Sequence, residues 1–240
     1  IRNYFLKGTD QAFIDSFNVT GDMISFLTDL FGDYPFEEYG VVAVPGFAMG
    51  NALETQTLSI FGDPVGSTPD PQVILHELFH QWIGNTVTIG DWSDLWLAEG
   101  FSKFAEALWL EKTQGVDAYN ALIQQQFAKQ LGYGESAAQL GHPEVPAGGV
   151  IPPVDPGIRL LFLPTYSGGA VAFHMLRLEV GDEVLFDILR TYYQEHKDKP
   201  VTTADFIATA EAVAGRDLSS VWDTWLYGTT VPKELPLLTK

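Results

Sequence analysis

The sequence contains no cysteine, few basic residues and no long apolar run, and each absence excludes a class of chemistry. Without cysteine there are no disulfides or thiolate ligands, so any metal must be held by His and carboxylate groups. Lys and Arg number 13 against 31 Asp and Glu, and the net charge of -18 argues against nucleic acids and anionic membranes as partners. No apolar run approaches the roughly 18 residues of a membrane span, and the first residues do not resemble a signal peptide.

Two histidines, His76 and His80, lie four positions apart in the segment HELFH. On a helix they project from one face about 6 Å apart along the axis, which suits two imidazole ligands on one ion. Glu77 points about 100° away from His76 and is placed to act as a base on a water molecule. Glu99 lies near the start of a second apolar helix and can supply the third ligand of a catalytic zinc site, which keeps one position open for water.

The nature of the metal follows from the residue beside the first histidine. Ferrous iron also binds two histidines and one carboxylate, so the ligand set alone leaves both metals open. Glu77 favours zinc-assisted hydrolysis, in which this carboxylate accepts a proton from water. The sequence therefore predicts one zinc ion (Zn2+) per chain.

Hydrophobic periodicity predicts an α+β fold. Strands are predicted at residues 39–44 and 54–61, and a stretch rich in Gly and Pro, 132–164, is predicted to be a functional loop. From residue 166 onward the chain is predicted to be all helical. The predicted helices span residues 21–30, 71–84, 95–110, 116–131, 166–180, 182–196, 203–214 and 218–226. A β-containing part, about 1–90, and a helical part, about 91–240, would then flank the active-site cleft.

Four segments resemble the catalytic domain of the aminopeptidase N family of zinc metallopeptidases, in the gluzincin group. They are HELFHQWIGNTVT at 76–88, DLWLAEGFSKFAE at 94–106, YSGGAVAFHMLR at 166–177 and WDTWLYGTTVP at 222–232. The resemblance covers nearly the whole chain. It implies a single thermolysin-like catalytic domain over residues 1–240, without the β-sandwich that precedes it and the helical domains that follow it in the family.

The resemblance assigns a catalytic role to Tyr166, where the family has a tyrosine whose hydroxyl stabilises the tetrahedral oxyanion. A phenol donor aimed at developing negative charge is chemically suited to that role. Without the resemblance, the pattern favours an aromatic packed at a helix start for Tyr166. The family often has a basic residue two positions later, and Gly168 stands there instead.

The resemblance also implies an anchor for the free amine, the glutamate of the family's Gly-x-Met-Glu-Asn segment. Two registers compete: residues 48–51, with Gly50 in place of the acid, or residues 50–55, which retain Glu54. We prefer Glu54, because an ammonium requires an acid and because an extended peptide could pair with the edge of the strand that follows. Asn51 and Ala52 would then also bind substrate. A solvated carboxylate at a strand end is the alternative for Glu54.

Three further residues receive a structural interpretation. His174 lies among Ala, Phe and Met and is predicted to be a hydrogen-bonded core histidine. Trp92 and Trp96 are predicted to pack, although one of them could line a substrate pocket.

These observations lead to a zinc-dependent aminopeptidase that acts on peptides with a free N-terminus. Two alternatives stay open: a zinc endopeptidase with an open cleft, and a non-catalytic peptide-binding module of the same fold. For location, a secreted or cell-envelope bacterial protein is favoured over a cytoplasmic one. The sequence does not indicate the oligomeric state.

Overall fold

The computed structural model describes residues 1–47, 52–62, 68–139, 164–228 and 230–239. The strands found there are β1 (Gly40–Val44), β2 (Ala52–Leu53), β3 (Leu58–Gly62), β4 (Val87–Ile89) and β5 (Lys199–Val201). The α-helices are α1 (Gln11–Asp15), α2 (Thr20–Phe31), α3 (Pro71–Phe79), α4 (Trp96–Gln114), α5 (Val116–Gln139), α6 (Gly169–Val180), α7 (Asp182–His196), α8 (Thr203–Ala214) and α9 (Ser219–Trp225). Short 3-10 helices occupy Ser16–Val19 and Trp92–Asp94, and a π-helical turn occupies Pro164–Gly168.

Two small sheets lie among these helices. In the first, β3 is central: β1 runs parallel to it and β2 antiparallel, with Leu53 opposite Ile60. In the second, β4 and β5 pair in parallel. Helices dominate the described residues beside a small mixed sheet, so the predicted α+β class is confirmed. The single-domain assignment stays a prediction.

Helix α3 begins where the sequence predicts and ends earlier. The Asp70 carboxylate accepts a hydrogen bond from the Gln72 amide, and Pro71 occupies the first turn, where its missing N–H costs nothing. The helix ends at Phe79 and not near residue 84, with His80 as its C-cap. Beyond His80 the chain folds into a turn in which Gly84, at a φ of 131°, has a conformation that favours glycine.

Helices α4 and α6 cross at two glycines. A Cβ added at Gly100 would lie 2.6 Å from the Gly169 Cα and 2.8 Å from the Thr165 carbonyl oxygen. Backbones can approach this closely only when neither helix carries a side chain there. The crossing therefore fixes the start of α4 against the π-helical turn before α6.

Three further predictions about elements are wrong in part. Residues 132–139 continue α5 instead of opening a loop, while the rest of the expected loop, 140–163, lies outside the described residues. The second predicted strand, 54–61, begins only at Leu58 as β3, since Glu54–Thr57 form a connection between β2 and β3. The C-terminal part is not all helical, because β5 lies within it. Within the described ranges, no helix combines the length and apolar content needed to cross a membrane.

Candidate active site

The structure brings His76, His80 and Glu99 together. All three are buried, and one ligand atom from each lies within 4.8 Å of the others. The Glu99 Oε2 atom is 3.1 Å from the His76 Nε2 and 3.5 Å from the His80 Nε2. Helix α3 supplies His76 and its C-cap supplies His80, four residues on and on the same face, while the first turn of α4 supplies the carboxylate.

Each imidazole uses its Nδ1 atom for a contact outside the three-residue cluster. The His76 Nδ1 lies 2.8 Å from Glu106 Oε1, and the His80 Nδ1 lies 3.1 Å from the Ile83 carbonyl oxygen. Each Nδ1–H can therefore donate, which leaves each Nε2 on the side of Glu99, where it can bind a cation or, when protonated, donate to the carboxylate. The sequence interpretation missed the contact between Glu106 and His76. Glu106 follows Glu99 by seven residues, about two helical turns, so the spacing could have placed both on the same face of α4.

Electrostatics couple the three groups. Burial alone would lower the pKa of His76, but hydrogen bonds to Glu106 and Glu99 raise this pKa to about 10. Burial alone would raise the pKa of Glu99, but the charge of His80 and hydrogen bonds from both histidines hold it well below its usual range. A positive charge is thus favoured between the imidazoles and the carboxylate.

These residues fit a divalent metal ion. Tetrahedral ligands at bond lengths of about 2.1 Å are roughly 3.4 Å apart, close to the two separations measured from Glu99. A divalent ion would take the place of the proton that the imidazoles and Glu99 otherwise share. Nitrogen and carboxylate donors of this kind suit zinc.

Glu77 lies beside the three ligands and is 7% exposed. Burial raises the pKa of its carboxyl, the charges of His76 and His80 oppose this rise, and the net pKa is about 7. A carboxyl with this pKa exchanges a proton readily near neutral pH. Its burial and this pKa therefore suit a proton acceptor.

Tyr166 lies on the π-helical turn, over the first histidine. Its ring stacks on His76 with the centroids 5.7 Å apart and the planes 5° from parallel. Burial and the neighbouring Glu99, through its charge and a hydrogen bond, raise the pKa of the Tyr166 hydroxyl, so it remains a proton donor. π-helical turns are frequent at functional sites.

Glu54 lies near the same centre. Its backbone carbonyl accepts a hydrogen bond from Asn85, and its charge contributes to the raised pKa of Glu77. The expected peptide pairing along the strand after Glu54 is wrong, because β3 is flanked by β1 and β2. Ala52 lies in β2, directly before the Glu54 connection, and Asn51 lies outside the described residues.

The remaining histidine and tryptophan predictions have separate outcomes. His174 is fully buried; its Nδ1 accepts from the Tyr119 hydroxyl and its Nε2 donates to the Pro236 carbonyl, which confirms a core histidine. Trp96 is fully buried and donates to Thr203. Trp92 is 71% exposed, so its predicted packing is wrong.

Comparison with known proteins shows one family over most of the chain. The profile described as "Peptidase family M1 domain" matches residues 15–225. "Aminopeptidase 2" from Candida albicans is 28% identical over 94% of this chain and 25% of its own length. "Glutamyl aminopeptidase" from Rattus norvegicus is 31% identical over 87% of this chain and 23% of its own length. The chain thus spans about a quarter of these curated relatives.

Solved structures give the same similarity in three dimensions. An M1 zinc metallopeptidase variant from Deinococcus radiodurans, bound to a Tyr-Ser-Ala substrate, superposes with a TM-score of 0.76 at 31% identity. The match covers 97% of this chain and 48% of that one. The same enzyme in another crystal structure gives a TM-score of 0.69 at 30% identity.

Proposed function

Since the chain belongs to peptidase family M1, we propose that it is a zinc-dependent aminopeptidase that removes residues from the free N-terminus of peptides. His76, His80 and Glu99 would hold the zinc ion, and Glu77, Tyr166 and Glu54 would act on the substrate. The convergence of two Nε2 atoms and one carboxylate oxygen beside the buried Glu77 carries the proposal.

Each group around the metal centre would have a separate role in peptide hydrolysis. Bound zinc would act as a Lewis acid on the scissile carbonyl and lower the pKa of the attacking water. Glu77 would accept the proton of this water and pass it to the leaving amine, since a carboxyl with a pKa of about 7 can both accept and release a proton. The Tyr166 hydroxyl would donate to the oxyanion.

Glu54 would bind the α-ammonium group of the substrate. An ion pair at this place would fix how far the N-terminus extends beyond the scissile bond, so that one residue is removed at a time. The acidity of the whole chain favours an amine-bearing substrate over an anionic one. Ala52 and Asn51 stay predicted substrate-binding residues. A location outside the cytoplasm stays a prediction.

Hydrolysis of aminoacyl anilides and their N-acetylated counterparts by the zinc-loaded chain tests this proposal. Free-amine substrates should be cleaved and acetylated ones should not, and Glu54→Ala should lower kcat/KM for the free-amine set. Glu195→Ala, at an exposed site on α7, is the matched control and should leave the rates unchanged. Equal cleavage of both sets would indicate an endopeptidase, and zinc binding without cleavage a non-catalytic module.

A further inference from the structure

The segment that follows α3 contains two amide side chains that the proposed mechanism does not use, Gln81 and Asn85. Gln81 is fully buried; its Oε1 accepts a hydrogen bond of 2.8 Å from the Thr57 amide, and its Nε2 donates to the Glu77 carbonyl at 3.4 Å. Asn85 Nδ2 donates to the Glu54 carbonyl at 2.7 Å. Both side chains therefore reach from the metal-binding helix segment to the connection that carries Glu54.

This connection, Glu54–Thr57, has a conformation that needs outside support. Thr57 has a φ of 64°, in the left-handed region that a β-branched residue rarely adopts. Inside the connection the Leu58 amide donates to the Thr55 carbonyl at 3.2 Å, and the Thr57 carbonyl accepts from Gly40 of β1. The contacts from Gln81 and Asn85 add one hydrogen bond at each end of the connection.

These contacts bear on the distance between Glu54 and the base, Glu77. Gln81 bridges the backbone of Glu77 to that of Thr57, and Asn85 bridges its own turn to the backbone of Glu54. The place of the Glu54 carboxylate relative to the base is thus fixed through this segment as well as through the sheet. In an aminopeptidase this distance determines which peptide bond lies at the base.

We propose that Gln81 and Asn85 are positioning residues, which hold the Glu54 connection at the distance from the metal centre that a single N-terminal residue spans. The proposal rests on the proposed function, because it assigns to Glu54 the substrate's amine. A merely structural role would lower stability and affect every ligand alike. A positioning role would weaken only ligands that present a free amine, and only while Glu54 is there to bind it.

A double-mutant cycle separates the two roles. Four variants are prepared: Asn85→Ala, Glu54→Ala, the double variant of these two, and Gln81→Met on its own. Gln81→Met keeps the length of the side chain but cannot accept the hydrogen bond from the Thr57 amide. Asn120→Ala is the matched control, because Asn120 is also half-buried and also donates to a backbone carbonyl, that of Leu238. Two ligands are measured by calorimetry on the zinc-loaded chain: an amino-acid hydroxamate and its N-acetylated form. Anilide hydrolysis is measured in parallel.

Asn85→Ala and Gln81→Met should each weaken the free-amine hydroxamate about five- to tenfold, the size expected for one lost hydrogen bond. Binding of the acetylated form should not change. In the Glu54→Ala background, Asn85→Ala should have no further effect, which is the non-additivity expected of residues that act through one another. For the anilides, KM should rise with little change in kcat.

Each other outcome has a defined meaning. Equal weakening of both hydroxamates, additive effects with Glu54→Ala, or an effect no larger than that of Asn120→Ala overturns the positioning role. If the wild-type chain itself binds both hydroxamates equally, the amine anchor fails, and the proposed aminopeptidase function fails with it. A wild-type preference for the free amine that survives Asn85→Ala and Gln81→Met defeats only the present inference.

Discussion

At the scale of single residues, the two histidines are oriented by groups outside the centre. Glu106 holds the Nδ1 of His76, and the Ile83 carbonyl holds the Nδ1 of His80. Lys103 in turn lies 2.6 Å and 2.9 Å from the two carboxylate oxygens of Glu106. Such outer contacts fix the tautomer and raise the basicity of a ligand.

Replacement of Glu106 by Gln should therefore weaken zinc binding. The amide cannot offer His76 a charged acceptor, and it leaves Lys103 without its carboxylate. We expect the zinc dissociation constant to rise about 10- to 100-fold, measured by competition with a chromophoric chelator. Glu183→Gln, at an exposed site in the first turn of α7, should not change it. An unchanged affinity in Glu106→Gln would show that His76 is oriented without this contact.

Replacement of Glu77 by Gln should remove catalysis and leave metal binding. The amide cannot accept a proton, so kcat should fall by about 10²- to 10⁴-fold, the usual contribution of a positioned base. Anilide turnover and zinc content by atomic absorption measure the two properties separately, with Glu195→Gln as the control. Loss of zinc together with activity would instead assign Glu77 to the ligand set.

At the scale of secondary-structure elements, the crossing of α4 and α6 determines where Tyr166 lies relative to Glu99. Gly100→Ala would place a methyl group against the Gly169 Cα and the Thr165 carbonyl, both of them backbone atoms that cannot rotate away. We expect a loss of about 1–3 kcal/mol in the free energy of unfolding, measured in urea. Gly21→Ala, on α2 with open space around it, should cause no loss. Equal stability of the two variants would contradict the close crossing.

How much could be predicted differs from one element to another. His76, His80 and Glu99 are predictable because helical periodicity is local, and α7 and α8 begin and end where Gly and the N-cap pattern indicate.

The continuation of α5 was missed because Gly132 suggests a break, although glycine within a helix costs only about 1 kcal/mol. β5 was missed because three residues with a proline show no alternation, and its partner β4 is distant in sequence. The orientation of the Glu54 connection depends on Gln81 and Asn85, and hence on tertiary contacts that no local pattern shows.

At the scale of the whole molecule, His174 joins α5 and α6 to the C-terminal segment. It accepts from Tyr119 and donates to the Pro236 carbonyl, and burial lowers its pKa to about 4. The unfolded chain has a His pKa of about 6.5. The folded state therefore gains stability from neutral His174 above pH 6.5, and this gain is lost as the pH falls from 6.5 toward 4.

This linkage predicts a pH-dependent difference between wild type and His174→Gln. The variant should be less stable at pH 7, and the difference in the free energy of unfolding should shrink by about 2 kcal/mol at pH 5, because only the wild type loses the contribution of neutral His174. Urea unfolding at both pH values measures it, with His196→Gln as a control on α7. A difference that stays constant would show that His174 titrates normally in the folded chain.

Zinc-dependent hydrolysis is tested by a zinc titration of the chelator-treated chain, followed by the rate of aminoacyl anilide hydrolysis. We expect no hydrolysis without metal, a linear rise with added zinc and a break at one equivalent, since His76, His80 and Glu99 together could hold one ion. A chain with His80→Ala should show no such break. Hydrolysis that survives removal of the metal, or that rises equally in His80→Ala, would contradict a zinc-dependent reaction at this site.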